Sequence, residues 1–174
     1  MMKTEWLYSM DEEGETPLSR ALKSGHPPLA NLVLGQESAR KGIKSDGSTA
    51  IHRAAAWGIT DVVRKHIARG TDVNAIDESQ ETPLHKAVRN GHCGTVRALA
   101  HAGADVSMPD QFGMTPLHWA SLIGRGDIAT VLIDYGAEVN TRETFNGGLT
   151  PLGIARLMNY NDLVDALDRA GGTW

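Results

Sequence analysis

The chain has 174 residues, 41% of them hydrophobic, a formal net charge of −4 and a single cysteine. Such a length sets one domain or one solenoid as the expectation, and the apolar share is too high for general disorder. The acidic balance lacks the electrostatic footprint of a nucleic-acid binder, and one cysteine excludes an internal disulfide framework. No segment reaches membrane-spanning length, and the N-terminal MMKTEWLYSM holds no apolar run of the kind a signal peptide needs, so a cytoplasmic location is expected.

Residues 1–10 precede any regular pattern, and Trp6, Leu7 and Tyr8 are expected to fold as a cap over one end of the domain. From Asp11 the chain becomes periodic. Thr16-Pro17-Leu18 opens a short helix, and Pro27-Pro28 opens a second, where proline is tolerated. Thr49-Ala50-Ile51-His52 opens the next helix, and Asp61 to Ile67 reads as its partner. The clearest unit runs from Thr82 to Val106. Thr82 can cap a helix with Pro83 at its first position, where the missing N–H costs nothing. Leu84, Ala87 and Val88 form one apolar stripe, and Gly91 can take the left-handed conformation that ends the helix. A second helix is expected over about Thr95 to His101, with Gly103 ending it. Thr115-Pro116-Leu117-His118 and Thr150-Pro151-Leu152 begin the two later units, and Asp162, Asp165 and Asp168 are expected to face solvent on the last helix.

The starts at Thr16, Thr49, Thr82, Thr115 and Thr150 lie 33, 33, 33 and 35 residues apart. A fixed period of this size marks a repeat architecture. Helices of two or three turns are too short to stand alone in water, so their stripes must be buried against neighbouring copies.

Thr82-Pro83-Leu84-His85, Ala87, Gly91-His92 and Gly103-Ala104-Asp105-Val106 resemble an ankyrin repeat. The match recurs at Thr115 to His118 with Gly136-Ala137-Glu138-Val139-Asn140, and more loosely at Thr49 to His52 with Gly70-Thr71-Asp72-Val73-Asn74. The resemblance implies an all-α solenoid of about five stacked helix-turn-helix repeats with projecting β-turn or hairpin fingers and a cupped surface. The expected organisation is a capping segment 1–10, an ankyrin-repeat domain 11–172 (repeats 11–43, 44–76, 77–109, 110–142 and 143–172) and a tail at 173–174. Departures from the family pattern are Glu37 to Ile43 in place of the first exit loop, Lys65 and His66 at apolar positions, Gln80 at a finger glycine, Gly153 at the motif histidine and Asn159 at a helix-stop glycine. The resemblance also implies that His52, His85 and His118 hydrogen-bond between neighbouring loops. Lys65 is expected to snorkel, and His66 to be a satisfied, partly buried side chain.

Chemistry finds little support. His92-Cys93 has no second pair with metal-ligand spacing. No Gly-x-Ser-x-Gly elbow is present, and Gly124-Arg125-Gly126-Asp127 reads as a turn between helices, not a phosphate fingerprint. No cofactor, metal or catalytic residue is expected, and the acidic residues of the fingers are read as solvated.

Function is therefore expected on the concave face, made of fingers and the outward side of each first helix. Its early part carries Glu12, Glu13, Glu15, Arg20, Lys23, Asp46, Arg53, Glu78, Glu81 and Lys86. Its partner-binding residues are expected to be Trp57, Arg89, Phe112, Met114, Trp119, Leu122, Ile123, Phe145, Leu157 and Met158, with Ile154 and Leu149 adjoining. In one reading the charges neutralise one another and the apolar residues pack internally. In the other, the apolar half is an exposed anchor for a protein or extended peptide. The second is the reading adopted: a non-enzymatic binding module, scaffold or inhibitor by occlusion, monomeric, with no nucleic acid or membrane partner. Homodimerisation through the apolar half, and an enzyme or small-ligand site in the groove, are the alternatives.

Overall fold

The computed structural model describes residues 47–145 and 147–174. The expected cap at Trp6 to Tyr8, the repeat at 11–43 and the groove residues Glu12, Glu13, Glu15, Arg20, Lys23 and Asp46 lie outside the described residues.

Eight helices form among the described residues, in four pairs: α1 (Ala50–Ala56) with α2 (Thr60–Ala68), α3 (Pro83–Arg89) with α4 (Cys93–His101), α5 (Pro116–Leu122) with α6 (Gly126–Asp134), and α7 (Pro151–Leu157) with α8 (Asn161–Arg169). Each first helix has seven residues and each second helix nine. First helices pack on first helices, and second helices on second helices, down the stack. The fold is an all-α repeat solenoid, and no strand occurs among the described residues; the fingers are turns.

Local signals explain the helix limits. Thr82 Oγ1 accepts the His85 N–H while the His85 ring accepts the Thr82 N–H, which satisfies two of the amides a helix start leaves open. Thr49 and Thr115 repeat the arrangement, and Thr150 caps Gly153. The second helix of the Thr82 unit starts at Cys93, two residues earlier than the spacing suggests. Asn159 ends α7 with φ of 59°, the left-handed stop that asparagine tolerates.

The stripes meet in one core. Ile51, Leu84, Leu117 and Leu152 recur at the second position of the first helices, each at most 1% exposed. Val63, Val96, Leu99, Ile128, Leu132, Leu163 and Leu167 fill the layer from the second helices. The two extra residues of the last unit sit in its finger: Glu143 N–H reaches Leu149 C=O, where Asp110 N–H reaches Met114 C=O one unit earlier. The helices after that finger keep their lengths, so the insertion is absorbed in a loop.

Three ladders tie one unit to the next. His52, His85 and His118, all fully buried, donate from Nε2 to the C=O of Glu81, Met114 and Leu149 at 3.0, 3.2 and 3.2 Å. In the exit loops Asn74 Oδ1 accepts Asp105 N–H, Ser107 Oγ accepts Glu138 N–H, and Asn140 Oδ1 accepts Thr173 N–H. Thr173, in the expected tail, continues this ladder. The third ladder stands where each second helix begins. His92 Nε2 donates to Ala56 C=O and Arg125 Nη1 to Gly91 C=O, while the ring of Tyr160 lies against Gly124. A Cβ on Gly58 would fall 2.5 Å from the His92 ring, which is why that position must be glycine beyond its φ of 68°.

Candidate functional site

The face shared by fingers and first helices starts from a turn. Asp77, Asp110 and Glu143 open the three fingers 33 residues apart and point their carboxylates back into their own loops. Asp77 Oδ1 accepts the Ser79 and Glu81 N–H groups, and Asp110 Oδ1 those of Phe112 and Met114. Glu143 does the same with Phe145, Gly148 and Leu149, its longer side chain matching the longer finger. All three carboxylates are buried, as is that of Glu81. The expectation of solvated finger acids is therefore corrected for these four. A tight turn leaves inward amides that need acceptors, and the acids supply them. Glu78 stays exposed.

The first helices close on this frame. Lys86 Nζ lies 2.6 Å from Asp77 Oδ2 and also pairs with Glu81 Oε2. Glu81 Oε1 takes Arg89 Nη1. Burial alone would raise the Asp77 pKa, but the hydrogen bond from Lys86 and those from the Glu81 and Ser79 amides hold it below the usual carboxylate value. Lys86 is raised by the same pairing, against the effect of its burial. Burial pushes His52, His85 and His118 below the ordinary histidine value, against the pull of the nearby carboxylates.

One unit on, the same geometry holds different chemistry. Trp119 occupies the helix position of Lys86, and its Nε1–H donates to Asp110 Oδ2 at 2.9 Å. The Arg89 guanidinium stacks on its ring, 4.4 Å from the centroid. A continuous polar path thus runs from Asp77 through Lys86, Glu81, Arg89 and Trp119 to Asp110. Phe112 and Phe145, from successive fingers, meet edge to face with centroids 5.1 Å apart. The fingers are also joined by Gln111 N–H to Ser79 C=O and Thr144 N–H to Phe112 C=O.

The expected partner-binding residues divide. Phe145 and Leu157 are the most open, at 66% and 61% exposed, followed by Met158, Trp57 and Phe112. Arg89 is exposed. Trp119, Leu122 and Ile123 are half-buried. Met114 is buried and is corrected to a core residue. It directly precedes the capping Thr115, the site from which a side chain folds back over the helix start; its N–H goes to Asp110 and its C=O to His85. Ile154, at the Trp119 position of the last unit, is likewise buried, not outward-facing.

Other sequence-derived expectations find their place. Lys65 is exposed, and His66 is half-buried beside Thr71, its pKa lowered by burial and by Arg69. His92 is occupied by Ala56, and Cys93 is a free, half-buried thiol. No group of three metal-ligating side chains converges among the described residues, and no helix there is long and apolar enough to cross a membrane. The finger carboxylates, like Met114 and Ile154, are buried where an exposed position was expected. Their 33-residue recurrence was the available signal.

A family model described as ankyrin repeats (3 copies) matches residues 4–77, 38–110, 59–143 and 84–171. A search of curated proteins finds no match.

Proposed function

The chain belongs to the ankyrin-repeat family, whose repeats serve as protein–protein interaction modules, and on that premise we propose that it is a non-enzymatic module holding a protein or extended peptide against its fingers and first helices. The observation that carries this reading is the set of large apolar side chains left exposed, Phe112, Phe145, Leu157 and Met158, with Trp57 further along the stack. A polar surface would serve solubility better, and a contiguous apolar patch is a common mark of an interface. Burying one such side chain is worth about 1.5–3 kcal/mol, so three or four anchors could support micromolar binding after ordering costs. Met114 leaves this set because it is already in the core. Trp119 enters it as a wall, since its N–H and one ring face are engaged internally. The free Cys93 accords with a reducing, cytoplasmic setting. Scaffolding and inhibition by occlusion both use this surface in the same way.

The test is capture from the native cell with wild type and a Phe145→Asp/Leu157→Asp variant whose helical circular dichroism is unchanged. A partner retained by wild type and lost by the variant supports the reading. Identical partners on both would remove it. Light scattering over a concentration series covers self-association, where a dimer lost in the variant would make a second copy the occupant.

A further inference from the structure

Resting on that groove reading, we infer that Arg89 is a carboxylate receptor, so the partner is an extended peptide with an acidic residue about three positions from one large apolar residue and about six from another.

The buried acids of the described fingers are already engaged. Every carboxylate oxygen at the Asp77, Glu81 and Asp110 positions has a donor. Asp77 holds two backbone amides and Lys86, Glu81 holds Lys86 and Arg89, and Asp110 holds two backbone amides and the Trp119 indole. A basic side chain arriving at these acids would have to displace a partner already in place. The cations differ. The Lys86 side chain is 18% exposed and sits between two carboxylates, whereas that of Arg89 is 43% exposed. Arg89 commits Nη1 to Glu81 and one face to Trp119. Nε and Nη2 are left, the planar edge that accepts a carboxylate with two parallel hydrogen bonds. Stacking on Trp119 and pairing with Glu81 hold that edge still, so little rotamer freedom remains to be lost on binding. The cluster of Asp77, Glu81, Asp110, Lys86 and Arg89 carries one more acid than base, but its three acids are buried and its arginine is exposed.

The peptide spacing is set by the period. Arg89, Leu122 and Leu157 occupy the same position on α3, α5 and α7, the last residue of each helix. Packed helices stand about 8–10 Å apart, and an extended chain advances about 3.3 Å per residue, so a peptide running along the stack passes one helix about every three residues. An acid on Arg89 therefore places apolar residues over Leu122 and then Leu157, which the exposed Met158 adjoins. The rule reads the same in either chain direction.

The experiment is selection of random 12-residue peptides displayed on phage against the full chain, followed by fluorescence anisotropy with a labelled synthetic copy of the enriched peptide. Enrichment of an aspartate or glutamate three and six positions from large apolar residues is expected. Changing that acid to its amide should weaken binding to wild type by about tenfold, the worth of a hydrogen-bonded ion pair, and by less than about twofold to Arg89→Gln, by the logic of a double-mutant cycle. Because Arg89→Gln also frees Glu81, Arg89→Lys serves beside it: it keeps the charge, loses the fork, and should retain part of the discrimination. Peptides that depend on Leu157 yet carry lysine, arginine or no charge would overturn the acidic assignment and leave the groove reading intact. If no peptide is enriched, or the enriched ones bind Leu157→Asp as well as wild type, both readings fall.

Discussion

The histidine ladder makes acid the most informative perturbation of this fold. His52, His85 and His118 each accept a threonine N–H at Nδ1 and donate to the next unit's carbonyl from Nε2. An N–H can only donate and a carbonyl can only accept, so each ring must be neutral with its proton on Nε2. Protonating Nδ1 would set two donors against each other inside the core. Burial, the largest influence, lowers all three pKa values, although Asp77 faces His52, Asp110 faces His85, and Glu143 faces His118. The folded value is depressed, so the unfolded chain binds protons first as pH falls. Stability is therefore intact above the unfolded value near 6.5 and is lost as pH drops from there towards the folded values. The limiting slope is about 1.4 kcal/mol per pH unit for each histidine, so about 4 kcal/mol between pH 7.5 and 5.5 is the upper bound for three acting together. Urea titrations at half-unit steps over that range measure the loss directly. His85→Gln, which keeps a donor for Met114 C=O but cannot titrate, should flatten the slope by about a third. A loss of less than about 1 kcal/mol by pH 5.5 would show that the rings take up protons without breaking the ladder, and the tautomer argument would fail.

Four further changes probe the local chemistry. Gln80 holds φ of 57° at the finger position where Gly113 holds 71°, so Gln80→Gly should raise stability by up to about 1 kcal/mol; a fall in thermal midpoint would contradict the strain. Ser121 Oγ is buried without a hydrogen-bond partner at the place Val88 fills one unit earlier, so Ser121→Ala should gain about 1 kcal/mol in denaturant titration, and a loss of that size would mean that the hydroxyl is satisfied. Gly103→Ala meets open space and suffers only its φ of 86°, a cost of about 1–2 kcal/mol, whereas Gly58→Ala also drives a Cβ to 2.5 Å from the His92 ring. Gly58→Ala should therefore destabilise clearly more, and equal losses would separate the His92–Ala56 bond from the stability of the stack.

The period made the fold legible because its signals are local. A threonine cap, a proline in the first turn and a glycine stop act within one helix, and five copies in phase leave little choice of architecture. The candidate site was legible only in part, because exposure depends on what a side chain meets across the stack. Glu81 and Met114 illustrate this. Both directly precede a capping threonine and both are buried, though one is charged and the other apolar. Composition would place the first in water and the second on a partner; position places both inside. Asp77 and Asp110 look like tip charges until their 33-residue spacing is taken as a structural demand of the finger. Periodicity also separates recognition from scaffolding. A residue that recurs with the period answers a need of every unit. Arg89 does not recur: its counterparts are Ala56, Leu122 and Leu157. Trp119 does not recur either, standing between Lys86 and Ile154 in the same column. Their stacked pair satisfies no requirement that the other units share, yet it is held by Glu81 and Asp110, two acids of the frame. A surface built that way keeps its stability in the periodic residues and leaves the aperiodic ones free to specify what binds.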